Sequence, residues 1–153
     1  LTALLFLTPA ALIGMACAPV AGWLANRVGW LTLLRTGLIA TIVILAFLTL
    51  QFQNRLAVMI GVGLLGIFYN GLALTMMNGL GVLNSPKETP TALPSLNGAS
   101  FGLGAGLGIS LVAPFVASGT EDGYRLAFAL ACGLTLCACA ASFWIAPVEK
   151  EEA

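Results

Sequence analysis

Residues 56–86, LAVMIGVGLLGIFYNGLALTMMNGLGVLNSP, run for 31 positions without a charged side chain. An α-helix rises about 1.5 Å per residue, so roughly 20 apolar residues cross the ~30 Å of hydrocarbon in a bilayer. This one stretch is long enough to span. The same pattern extends outward on both sides, because residues 1–26, 36–54, 89–120 and 126–148 are also free of charge. The six Lys and Arg and the six Asp and Glu all fall between these stretches or at their ends. Five spanning helices are therefore predicted, near residues 2–25, 31–51, 56–82, 92–117 and 124–146, followed by a short charged tail at 147–153. The expected fold is an all-α membrane protein forming a single helical domain.

Composition agrees and sets limits on function. Of 153 residues, 59% are hydrophobic and 8% charged, with no histidine, whereas soluble domains carry about 25% charged residues. A water-soluble enzyme is excluded. Equal numbers of cations and anions leave no basic field for nucleic acid. No Asp, Glu or Lys lies inside a predicted span, and the two Arg that do, Arg35 and Arg125, stand near a span end rather than at mid-membrane, where such residues usually mark proton relays and ion paths. Ser100 and Ser110 have no basic partner to activate them, so the chain reads as a non-enzyme. Cys17, Cys132, Cys137 and Cys139 all lie in apolar stretches and read as small packing residues rather than a disulfide or metal set. No metal or cofactor is expected.

The connections carry turn chemistry at residues 26–29, 51–55, 84–90 and 118–123. Arg27, Arg35, Lys87 and Lys150 fall on one side of the membrane, against Arg55 and Arg125 on the other. The positive-inside rule makes the first side cytoplasmic. The chain is thus expected to enter from outside and finish in the cytoplasm, in the cell membrane. No basic segment precedes the first apolar run, so the sequence is expected to begin within a span of a longer protein, with residues 148–153 as its natural end.

Glycine is frequent, at 18 residues, and patterned. In the fourth helix Gly98, Gly102 and Gly106 recur every four residues, a spacing that lets helix backbones approach closely in lipid. At about 100° per residue, Asn97, Phe101, Gly104 and Gly108 fall on a different face. In the third helix Gly63, Gly66, Asn70, Met77 and Gly81 are expected on one side, flanked by Tyr69 and Asn78. Each amide has a plain reading as a bond to a neighbouring helix, and each methionine as a gap filler. Two helices that each place an Asn on a glycine-lined face point further, to a cavity. Pro9, Pro19 and Pro114 are expected to bend or locally open their helices.

The phrase Gly22-Trp23-Leu24-Ala25-Asn26-Arg27-Val28-Gly29 resembles the loop signature of the major facilitator superfamily, commonly Gly-x-Leu-Ala-Asp-Arg-x-Gly followed by basic residues. Asn26 stands where the family usually has Asp, and Trp30-Leu31-Thr32 replace the basic run, as in the weaker second copy between helices eight and nine. Residues 95–104 look like helix eleven of drug- and sugar-efflux members, and Tyr124-Arg125-Leu126-Ala127-Phe128 is similar to the entry into their helix twelve. Registration as helices two to six fits less well, because Ala113-Pro114-Phe115-Val116-Ala117 does not match the antiporter phrase Gly-x-x-x-Gly-Pro-x-x-Gly-Gly. The resemblance implies helices eight to twelve, an incomplete C-terminal bundle of a twelve-helix efflux transporter working by alternating access. Its partners would be a small-molecule substrate, the lipid bilayer and the missing N-terminal bundle.

In such a bundle helices eight, ten and eleven line the cavity while nine and twelve support them. The resemblance thereby makes Tyr69, Asn70, Met77, Asn97 and Phe101 substrate contacts. It makes Gly22, Asn26, Arg27 and Gly29 the cytoplasmic loop motif, and a lock through Asn26 is expected to be weaker than one through Asp. Read without the family, the motif is a capped hinge with a cation at the negative end of a helix. The alternative function is a non-transporting membrane subunit or scaffold, or the permease component of another transport complex. An ATP-driven complex needs a cytoplasmic coupling helix, against which the short, Pro-bounded loop at 84–90 argues.

Overall fold

The computed structural model describes residues 2–145, with side chains described at residue 8 and from residue 11 onward. The expected tail at 147–153, residue 146 of the last predicted span and the side chain of Pro9 lie outside the described residues. The chain folds into five helices long and apolar enough to cross a membrane. They are α1 (Thr2–Val28), α2 (Trp30–Gln51), α3 (Arg55–Leu83), α4 (Ala92–Ala117) and α5 (Glu121–Ser142).

Local chemistry sets each end. Gly29 alone separates α1 from α2: its N–H donates to the Ala25 carbonyl at 2.9 Å, and its own carbonyl accepts from the Leu33 N–H at 3.2 Å. With φ +103° and ψ 137° it takes a backbone conformation open to glycine. Asn54 caps α3 by accepting from the N–H groups of Leu56 and Ala57 at 3.1 and 3.4 Å. Thr120 caps α5 through the Gly123 N–H at 3.1 Å. The start of α5 at Glu121 lies three residues before the expected one. Glu121 and Asp122, read as loop charges, occupy its first turn, where carboxylates meet the positive end of the helix dipole.

The helices continue across the prolines expected to bend or locally open them. α1 runs through Pro19 and α4 through Pro114 without interruption. The departure from α-helical bonding lies instead in α3, where residues Gly66–Leu74 form a π-helical segment that contains no proline.

Packing is concentrated in four helices. α3 lies along both α1 and α2, while α5 lies along α2. Ala21 and Ala25 of α1, Leu33, Leu34 and Leu38 of α2, Ala73, Met76 and Leu80 of α3 and Cys139 of α5 form the core. Leu34, Leu48 and Met76 are fully buried, and truncating such a side chain to Ala typically costs about 2–5 kcal/mol. Among the described residues, α4 touches only α5 and the last turns of α3, and none of its residues is buried. Of the four cysteines, all free, Cys132 bridges helices, its thiol donating to the Ile42 carbonyl across 3.7 Å.

Candidate functional site

The π-helical segment sits at the middle of α3, where a spanning helix is furthest from water. Glycines on both neighbours make room for its wider coil. A Cβ placed at Gly14 of α1 would lie 2.7 Å from the Gly66 carbonyl oxygen and 2.9 Å from Asn70 Cβ. One placed at Gly37 of α2 would lie 3.0 Å from the Phe68 carbonyl oxygen and 3.1 Å from the Ala73 nitrogen. Gly71 faces α1 in return, within 3.2 Å of the Gly14 carbonyl by the same construction. The segment is therefore held between two backbones, while Tyr69 and Asn70 remain exposed. The Thr75 hydroxyl reaches back five residues to donate to the Asn70 carbonyl at 3.4 Å. Such π-helical interruptions recur at functional sites.

The stripe expected on α3 meets unlike surroundings along its length. Gly66 is buried against α1 whereas Asn70 and Met77 are exposed, and Gly63 has open space where a Cβ would be. Gly66 and Asn70 still share the side that meets Gly14, while towards Met77 and Gly81 the wider coil shifts the register against a count of about 100° per residue.

Nearer the 84–90 loop, the Asn97 amide Nδ2 donates to Asn78 Oδ1 at 2.6 Å, joining α4 to α3. Asn97 lines a cavity of about 300 Å³ with Met77, Gly81, Asn84, Leu93 and Ser100, closed further by Leu34 and Ile145. Its size lies at the lower end of the range for small-molecule sites, about 300–1,000 Å³. Of the five sequence-predicted contacts, the structure brings Met77 and Asn97 together on this wall. Phe101 stands one turn further along α4, exposed. Tyr69 and Asn70 are not part of the cavity; at 1.5 Å per residue Asn70 lies about 12 Å deeper along α3 than Asn78.

Sequence reading named Asn70 and Asn97 as substrate contacts and left Asn78 as a flanking residue. A signal for the bond between Asn78 and Asn97 was present. Asn78 and Asn97 are equidistant from the centre of the connection between Leu83 and Ala92. In an antiparallel helical hairpin, residues equally far from the turn lie at equal depth.

The loop motif is built around an aromatic rather than an ion pair. Asn26 and Arg27 are exposed, and Arg27 lies over the Trp23 ring at 4.2 Å from its centre. Gly22 has open space beside it. Trp30, which stands in place of the family's basic residue, lays its ring over Gly79, where a Cβ would collide with it. Gly79 directly follows Asn78, so the first residue of α2 packs beside the amide pair. Further along α2, the half-buried Arg35 donates from Nη2 to the Ser142 carbonyl at 3.2 Å and lies over the Phe143 ring at 4.4 Å. It satisfies a carbonyl at the negative end of α5.

Among the described residues, the glycine stripe of α4 faces no helix. A Cβ added at Gly98, Gly102, Gly104, Gly106 or Gly108 would meet nothing within 4 Å among the described residues.

Comparison with known proteins gives two matches. The family model of the Major Facilitator Superfamily matches residues 1–153. A curated relative, the uridine/deoxyuridine transporter of Lactococcus lactis subsp. cremoris (strain MG1363), is 40% identical over 109 residues, which cover 70% of this chain. The matched part spans 23% of the relative's length. No solved structure matches.

Proposed function

The chain belongs to the major facilitator superfamily, and from that premise we propose that it forms helices eight to twelve of a secondary transporter for a nucleoside. It is a membrane transporter chain and not an enzyme. The loop phrase at 22–29 supports placement in the C-terminal half. The packing, in which α1 lies against α3 and α2 against α5 while α4 stands apart, supports a facilitator bundle of either half. That pairing suits a bundle in which α1, α3 and α4 face a cavity and α2 and α5 back them. The N-terminal bundle would complete the cavity and meet the open glycine face of α4. We place the chain in the cell membrane with the 84–90 loop and the end of the chain on the cytoplasmic side, an orientation that the positive-inside count supports.

The observation that carries the reading is the Asn78–Asn97 amide pair beside a largely apolar cavity. A few polar groups converging on apolar walls characterise small-molecule sites. Uridine and deoxyuridine, which the relative's name joins, differ at the 2′-hydroxyl and share the uracil base. We therefore place the main recognition at the base, with Tyr69, Asn70 and Phe101 as deeper contacts along the path. The substrate reading moves from the drugs and sugars of the efflux resemblance to a nucleoside, and the assay reads transport in both directions. The complete transporter carrying this chain, reconstituted in vesicles, is expected to exchange labelled uridine. Asn97→Ala is expected to raise KM about tenfold, equivalent to ~1.4 kcal/mol, with insertion intact. Unchanged kinetics in both Asn70→Ala and Asn97→Ala would overturn the site.

A further inference from the structure

We infer that the Asn78–Asn97 pair reads a base edge on which a ring N–H stands beside a carbonyl, an inference that rests on the nucleoside reading above. Each amide offers one carbonyl oxygen and two N–H groups. The single hydrogen bond between them uses Nδ2 of Asn97 and Oδ1 of Asn78. Asn97 keeps its oxygen as an acceptor, and Asn78 keeps both N–H groups as donors. Reversing the direction of the bond exchanges the two residues' roles and leaves the same set, one free acceptor beside free donors. No other hydrogen bond engages either side chain among the described residues.

The surroundings make that capacity selective. Met77, Leu93 and Leu96 flank Asn97 on the cavity wall and offer no side-chain N–H or carbonyl, while the wall's other polar side chains are Ser100 and Asn84, whose amide N–H already donates to the Leu80 carbonyl at 3.0 Å. A substrate that excluded water from this wall without pairing the amides would leave them unsatisfied, at a cost of about 1–3 kcal/mol per group. Uracil supplies both partners: its N3–H can donate to the free amide oxygen, and either adjacent carbonyl can accept from a free amide N–H. Linking the two amides also fixes their relative position across α3 and α4, so donor and acceptor are presented together rather than by two independent rotors. A site of this kind rejects an analogue lacking the required N–H more strongly than it rejects a methyl group placed elsewhere.

The test is competition against labelled uridine exchange in vesicles holding the complete, unaltered transporter. N3-methyluridine has lost the ring N–H, whereas 5-methyluridine keeps it and carries a methyl group of the same size. We expect 5-methyluridine to compete within about threefold of uridine, and N3-methyluridine to be weaker by about tenfold or more. In Asn97→Ala, uridine is expected to weaken towards N3-methyluridine until the two compete alike. Equal competition by the two methyl isomers in the unaltered protein would overturn this inference while leaving nucleoside transport standing. Absence of any uridine exchange would overturn the nucleoside reading, and this inference with it.

Discussion

α3 and α4 are both rich in glycine and meet opposite surroundings. Along α3, Gly61 lies under Leu48, Gly66 and Gly71 lie against Gly14, and Gly79 lies under the Trp30 ring. Along α4, five glycines have open space where a Cβ would stand. In lipid, apolar surface gives no preference for a protein neighbour over an acyl chain, and close approach is driven by packing and polar contacts. A glycine therefore permits a neighbouring backbone without requiring one. α3 uses that permission inside the bundle; α4 holds it towards a surface that none of the described residues supplies.

The sharpest way to break this comparison is to fill one glycine of each kind. Gly71→Leu is expected to force α1 from α3 and lower the stability of the five-helix chain by about 3 kcal/mol, whereas Gly102→Leu changes it by less than about 0.5 kcal/mol. Thermal unfolding of the purified variants in detergent checks both, and equal losses would erase the distinction. Gly79→Ala is expected to cost about 1–2 kcal/mol through its collision with Trp30, and Trp30→Ala in the same chain should recover about half of that loss. Simple addition of the two single losses would show that the ring does not fill this space. Arg35→Ala has the smallest expected effect, about 1 kcal/mol, from a lost charged hydrogen bond and ring contact at the end of α5. Amide hydrogen exchange should quicken around Ser142 and leave α4 unchanged; faster exchange in α4 would mean that α4 depends on the α2–α5 pair.

The five spans were legible because in a bilayer charge is costly at every position, so uncharged length by itself marks a helix. Other features depended on relations between helices. Glu121 and Asp122 looked like loop residues because a carboxylate at a helix start and one in a loop read alike until Thr120 is seen as the cap. The π-helical segment left no periodic mark, since its cause lies in Gly14 and Gly37 on other helices. Proline drew attention to α1 and α4, yet Pro114 sits in the last turn of α4, where little helix remains to be broken. Asn97 was identified as a candidate contact from its own sequence, but its partner required hairpin depth rather than residue spacing. The open glycines of α4 mark the corresponding limit, because spacing describes one surface and packing needs two.

Gly29 has a mechanical consequence. As the whole joint between α1 and α2, bonded back to Ala25 and forward to Leu33, it allows no slack at that elbow. A tilt of α1 is passed directly to α2, and through the Trp30 ring to the half of α3 that carries Asn78. α4 hangs between longer tethers, the connection after Leu83 and the one after Ala117. During a transport cycle the elbow would make α1, α2 and α3 swing as a single lever. Relative sliding would then fall at the seam with α4, which the hydrogen bond between Asn78 and Asn97 crosses.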